Sequence, residues 1–197
     1  MNNFSKIALS AMLIGASVFT SCSNDDDAPA QPQSIYARLG GTTMVADPDN
    51  SGQMIEAGRL AFRNVVDDTV DLIVADIQAN ATGNLQAHFA PLLAEVGNGN
   101  TTNYAILKDN LTDFFSFNTG GTNAVNTYTG LDMVTAHAPG TGTGKNPRMG
   151  AVSTDANYTK FEGYVGAAAQ ANGVAANSQL YADVVAVLES LRDPIVQ

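Results

Sequence analysis

The chain has 197 residues and a formal net charge of −10 at neutral pH, from 9 Lys and Arg against 19 Asp and Glu. A surface this acidic repels nucleic-acid phosphates, which argues against DNA or RNA as a partner. Apolar residues make up 45%, enough for an ordinary globular core, and one cysteine leaves no internal disulfide.

Residues 1–21 read as a secretory signal peptide. Lys6 supplies the positive start, Ile7 to Val18 form an apolar run, and Thr20-Ser21 place small residues before Cys22. The run is shorter than the roughly 20 residues that span a bilayer. The position of Cys22 resembles the processing site of a bacterial lipoprotein, with Phe19 standing where that pattern usually has Leu. The resemblance implies a lipid on Cys22. It also implies an anchor in the cell envelope of a Gram-negative bacterium, on the outer membrane and facing either the periplasm or the surface. Residues 22–34 follow as an acidic flexible tether, with an Asp run, prolines and no apolar periodicity. Cleavage removes one Lys and no acid, so the mature chain is more acidic still. Residues 35–197 suit one domain with a single core.

The periodicity of that domain is helical. Ile55 to Ile77 predicts one long or two abutting helices carrying Leu60, Val65, Val66, Val70, Ile73 and Val74. Tyr104 to Phe117 repeats the pattern with Leu107, Leu111, Phe114 and Phe115, closing at Gly120-Gly121. Ser153-Thr154-Asp155 caps a third helix that stops at Asn172-Gly173. Asn177-Ser178 caps a fourth, which runs with Leu180, Val184, Val187, Leu188 and Leu191 on one face to Pro194. Sustained alternation is missing, so the class is all-α. Two loops imitate ligand sites. Asp47-Pro-Asp49-Asn-Ser51-Gly52 opens like a calcium loop, but its twelfth position is Gly58 rather than Glu, so it reads as a solvated turn. Gly140-Thr-Gly-Thr-Gly-Lys145 lacks both the Ser/Thr after Lys and a preceding strand of a phosphate loop.

Chemistry concentrates at Tyr128-Thr-Gly-Leu-Asp-Met-Val-Thr-Ala-His137. The segment ends in one of only two histidines, at the close of an amphipathic stretch and before a Gly/Pro-rich one. A neutral imidazole so placed can serve a buried metal, as the single axial histidine of a globin does. Ordinary core packing is the competing account.

With the helices placed, the chain resembles a truncated haemoglobin of the group-one type. Ser34-Ile-Tyr-Ala-Arg-Leu-Gly-Gly41 matches the family's opening. Gly120-Gly121, Tyr128-Thr-Gly130 and Met133-Val-Thr-Ala-His137 match its "G-G…Y-T-G…M-x-x-x-H" block. Tyr158 to Gly173 and Val184 to Val196, with Leu191-Arg192-Asp193, match its last two helices. The resemblance implies a two-over-two helical sandwich with loop insertions, holding haem iron on His137. It places Phe89, next to His88, on the haem face, and Phe114 and Phe115 on the helix over the distal side. It also puts Val70, Leu107 and Leu111 where the family carries Tyr and often Gln as hydrogen-bond donors to dioxygen. All three are apolar, so the expected distal pocket lacks a donor, unless a helix rotation brings in Tyr104 or Asn110. Insertions fall at 46–58 and 139–148; the second carries Lys145 and Arg148, cations that can approach a haem propionate.

The implied function is binding of a diatomic ligand (dioxygen, carbon monoxide or nitric oxide) at a histidine-ligated iron on the envelope. Its redox partner is not indicated. A haem peroxidase or nitric-oxide dioxygenase is the enzymatic alternative, weakened by the absence of a distal acid or base. Export and the loop beside His137 favour extracellular haem capture or transfer as another. A haem-free interaction scaffold is the last.

Overall fold

Several helices here begin where the sequence supplies a side-chain acceptor for their unpaired N–H groups. Ser34 accepts from Ala37 N at 3.1 Å and opens α1 (Ile35–Arg38). Thr154 and Asn157 form a reciprocal capping box at the start of α6 (Asp155–Ala171). Ser178 accepts from Tyr181 N at 3.1 Å and starts α7 (Gln179–Glu189). The remaining elements are β1 (Met44–Ala46), β2 (Met54–Glu56), α2 (Ala57–Gln78), α3 (Gln86–Gly97), α4 (Thr102–Asn118), α5 (Met133–His137) and α8 (Arg192–Ile195), with a 3-10 turn at Ala124–Asn126. The computed structural model describes residues 32–122 and 124–197. The expected signal peptide, Cys22 and most of the tether therefore lie outside the described residues. The described fold is mostly helical, as the periodicity predicts.

Three elements differ from the expectation. The insertion at 46–58 overlaps an antiparallel hairpin that pairs Met44 with Glu56 and Ala46 with Met54, so the helix expected from Ile55 starts at Ala57. Its turn is no calcium loop, because Arg63 occupies the Asp47 carboxylate through contacts of 2.7 and 3.2 Å. Helix α3 had no clear signal, since Pro91 lies inside it. Proline has no N–H for the Ala87 carbonyl. Gly150 packs there instead, so closely that a Cβ on it would lie 2.2 Å from Ala87 O, and its N–H donates to His88 O at 2.8 Å. The chain end adds α8, with Pro194 inside its first turn.

Helix α2 packs on both α4 and α6, α6 packs on α7, and α5 packs on α8. The core runs through Tyr36, Phe62, Val66, Phe115, Val165 and Leu188. Burying each large apolar side chain contributes about 1.5–3 kcal/mol. Tyr36 explains two paired glycines. A Cβ on Gly58 or Gly121 would come within 2.9 or 2.8 Å of its ring, so only glycine lets the backbone approach on both sides. From Tyr36 an aromatic row continues through Phe62, Phe115 and Phe114 to Tyr128, with centroid separations of 5.2–6.4 Å. The far end of that row is the wall of a cleft.

Candidate functional site

The cleft has a volume of about 1160 Å³ counting its open mouth. One wall is α4, which presents Leu107, Asn110, Leu111, Phe114 and Phe115. Facing elements supply His88 and Phe89 from α3, Met133 and His137 from α5, and Tyr158 and Phe161 from α6. Leu188, Leu191 and Ile195 line it from the chain end. Most of this lining is apolar, so an occupant must be largely hydrophobic, with a few polar groups fixing its orientation.

His137 is the last residue of α5, a short helix opened by Asp132, whose carboxylate accepts from Thr135 N at 3.0 Å. Its Nδ1 lies 2.9 Å from Met133 O. A carbonyl only accepts, so Nδ1 carries the proton and donates, which leaves the Nε2 lone pair available. No hydrogen bond among the described residues engages Nε2. Burial lowers the pKa of the imidazole, and proximity to His88 lowers it further against the opposing effect of the Met133 carbonyl. The ring is thus held neutral, in the tautomer and charge state of a metal ligand.

His88, buried at 7% exposure, is held by the same device: its Nδ1 lies 3.1 Å from Ala151 O. The α3–Gly150 contact made necessary by Pro91 places it there. Both histidines of the chain therefore line one cleft.

Of the residues singled out in the sequence, the fold brings His137, Phe89, Leu107, Leu111, Phe114 and Phe115 together. Val70 is not among them. It is buried at 6% exposure in α2, which packs against both α4 and α6, and it does not line the cleft. The α4 wall is also less apolar than expected, since Asn110 lies on it, whereas Tyr104 lies outside the cleft with Lys108 over its ring at 5.4 Å.

The 139–148 insertion is not a free solvated loop. Asn146 N donates to Ala138 O at 2.7 Å, and its side-chain amide donates to Ala136 O at 2.7 Å. These bonds occupy carbonyls on either side of His137 and brace the C-terminal end of α5. Nothing local in the Gly-rich sequence marks Asn146 for this role. Lys145 is exposed and lines neither the cleft nor its mouth, while Arg148 reaches the mouth.

Among the described residues no group of three or more His, Cys, Asp or Glu could hold a metal ion. A bare ion would find at most two imidazoles here. One neutral imidazole above an apolar slot suits an iron whose other positions are already filled by a flat, hydrophobic macrocycle. The residues present thus fit a haem. The chain matches no protein-family model and no curated protein.

Proposed function

We propose that the cleft holds haem, with His137 Nε2 as the axial ligand, in a two-over-two helical sandwich of the truncated-globin kind. The observation that carries this reading is the His137 imidazole, kept neutral by burial and oriented by Met133 O, on the wall of a mainly apolar cleft. Helix α2 packs on both α4 and α6, and α6 on α7; of these, α4, α6 and α7 line the cleft. When bound, the group would supply an iron that can take a diatomic gas. Leu107, Leu111 and Phe114 would keep water from the bound gas, and Asn110 is the polar side chain on α4 that could orient it. Phe89 and Phe161 would pack on the macrocycle. The signal peptide and Cys22 extend the reading to a lipid-anchored envelope protein.

An absorbance spectrum of the haem-reconstituted protein tests this. A stoichiometric Soret band that shifts when carbon monoxide is added after reduction supports the gas-binding reading; no uptake of haem overturns it. Haem capture or transfer is the second reading, favoured by a specific feature: Ile106 and Leu131 stand exposed at 48% and 47% on the rim of the cleft mouth. Rapid haem donation to a scavenger protein, with a spectrum unresponsive to carbon monoxide, would favour it.

A further inference from the structure

The cleft opens into a second hollow of about 910 Å³, and Phe89, Leu107, Asn110, Leu131, Asn146 and Met149 line both. Among the described residues that line either, Arg148 is the only one with a permanent charge. Its guanidinium is half exposed, and its ion pair is long, with Nε 3.7 Å from Glu95 Oε1. The other oxygen of Glu95 accepts from Asn103 at 2.6 Å. The two terminal nitrogens of Arg148 make no hydrogen bond among the described residues. That leaves the forked edge of the guanidinium, which matches a carboxylate bidentately, facing the mouth.

The position of Arg148 is set by Asn146, whose side-chain oxygen accepts from Arg148 N at 3.0 Å while its other two bonds grip the backbone on either side of His137. One residue therefore ties the backbone on either side of His137 to the backbone of Arg148 at the cleft edge. An occupant read by both has an apolar body, a centre that takes a nitrogen ligand, and an acidic edge.

We infer that Arg148 receives a carboxylate of the occupant, a haem propionate, and so retains and orients it. The inference rests on the haem reading above. Esterification provides a direct test, because haem dimethyl ester keeps the iron and the apolar body but has no carboxylate. Wild type, Arg148→Ala and Arg148→Lys are loaded with haem or with the ester. Loss to excess apomyoglobin is then timed, with far-UV circular dichroism confirming the fold. Wild type is expected to lose the ester about two- to fivefold faster than haem, the range of a partly exposed ion pair. Arg148→Ala should lose haem at the wild-type ester rate and the ester no faster, with Arg148→Lys between. Equal acceleration of both cofactors by Arg148→Ala, or of neither, overturns the inference while leaving the haem reading in place. Failure of wild type to take up haem at all overturns both.

Discussion

At the scale of single residues, three side chains have consequences that differ in kind. On the haem reading His137 would be the iron ligand, and Asp132 and Asn146 hold the two ends of its helix, to which the imidazole adds one bond at Met133 O. His137→Ala is therefore expected to abolish stoichiometric haem binding while leaving the helical circular dichroism unchanged. Full retention with an unaltered spectrum would move the assignment to His88, the other imidazole in the cleft. On the same reading, Asn110 would act on the bound gas rather than on the fold. Asn110→Leu should speed dioxygen release about tenfold, the effect of losing one hydrogen bond to a partly charged acceptor, with little change for carbon monoxide. Equal rates for both proteins would show that Asn110 does not face the ligand. Tyr36 is structural. Its hydroxyl donates to Glu56 and accepts from Asn126 at 3.1 Å, and burial together with the Glu56 carboxylate pushes the phenol up to about 12 from 10.0. A raised folded value means the unfolded chain gives up this proton first. The contribution is complete below about pH 10 and is lost as pH rises toward 12. In urea unfolding, Tyr36→Phe should be less stable by about 1 kcal/mol or more at pH 7 and show a flatter alkaline limb. An alkaline limb as steep as wild type would refute the coupling.

Among the elements, α3 illustrates how one local break can build a site. Pro91 leaves the Ala87 carbonyl without its helical donor, the segment after the insertion packs into that gap, and His88 comes to the cleft wall as a result. Gly150→Ala tests the chain of cause. The new Cβ would sit 2.2 Å from Ala87 O, a contact against backbone that forces α3 to shift. The expected cost is about 1–3 kcal/mol, read as a lowered thermal midpoint, together with a disturbed haem spectrum. A wild-type midpoint would mean that α3 is not docked through this contact. The hairpin of β1 and β2 depends on a different device. Arg63 on α2 contacts both Asp47 and Asp49, so the turn that imitates a calcium loop is fastened to the helix by an ion pair.

For the molecule as a whole, the question is where it works. No described helix is long and apolar enough to cross a membrane. On the lipoprotein reading, a lipid on Cys22 would hold the protein to the envelope. Cys22→Ala is expected to move the protein from the membrane fraction to the soluble one, and continued sedimentation with membranes would show a different anchor. The acidic surface sets a further constraint. With 19 acidic against 9 basic residues, the few cations are mostly committed to ion pairs: Arg59 to Asp113, Arg63 to Asp47 and Asp49, Arg192 to Asp155, Glu162 and Glu189. Arg148, with its long contact to Glu95, is the exception at the cleft.

The amphipathic periods at 104–117, 153–172 and 178–191 determine α4, α6 and α7 from the sequence alone, because a helix that must bury one face writes that face at three- and four-residue steps. The capping residues Thr154 and Ser178 are equally legible, since each satisfies N–H groups only a few residues away. Most of the cleft wall on α4, together with His137, follows from the same local signals. Tertiary structure alone decides the rest. It withdraws Val70 from the cleft, turns Asn110 into it, and sets His88 beside His137. It also converts a Gly-rich insertion into a brace through Asn146. These outcomes depend on partners far along the chain, such as Gly150 on Ala87 or Asn146 on Ala136, whose pairing is set by packing and leaves no period in the sequence.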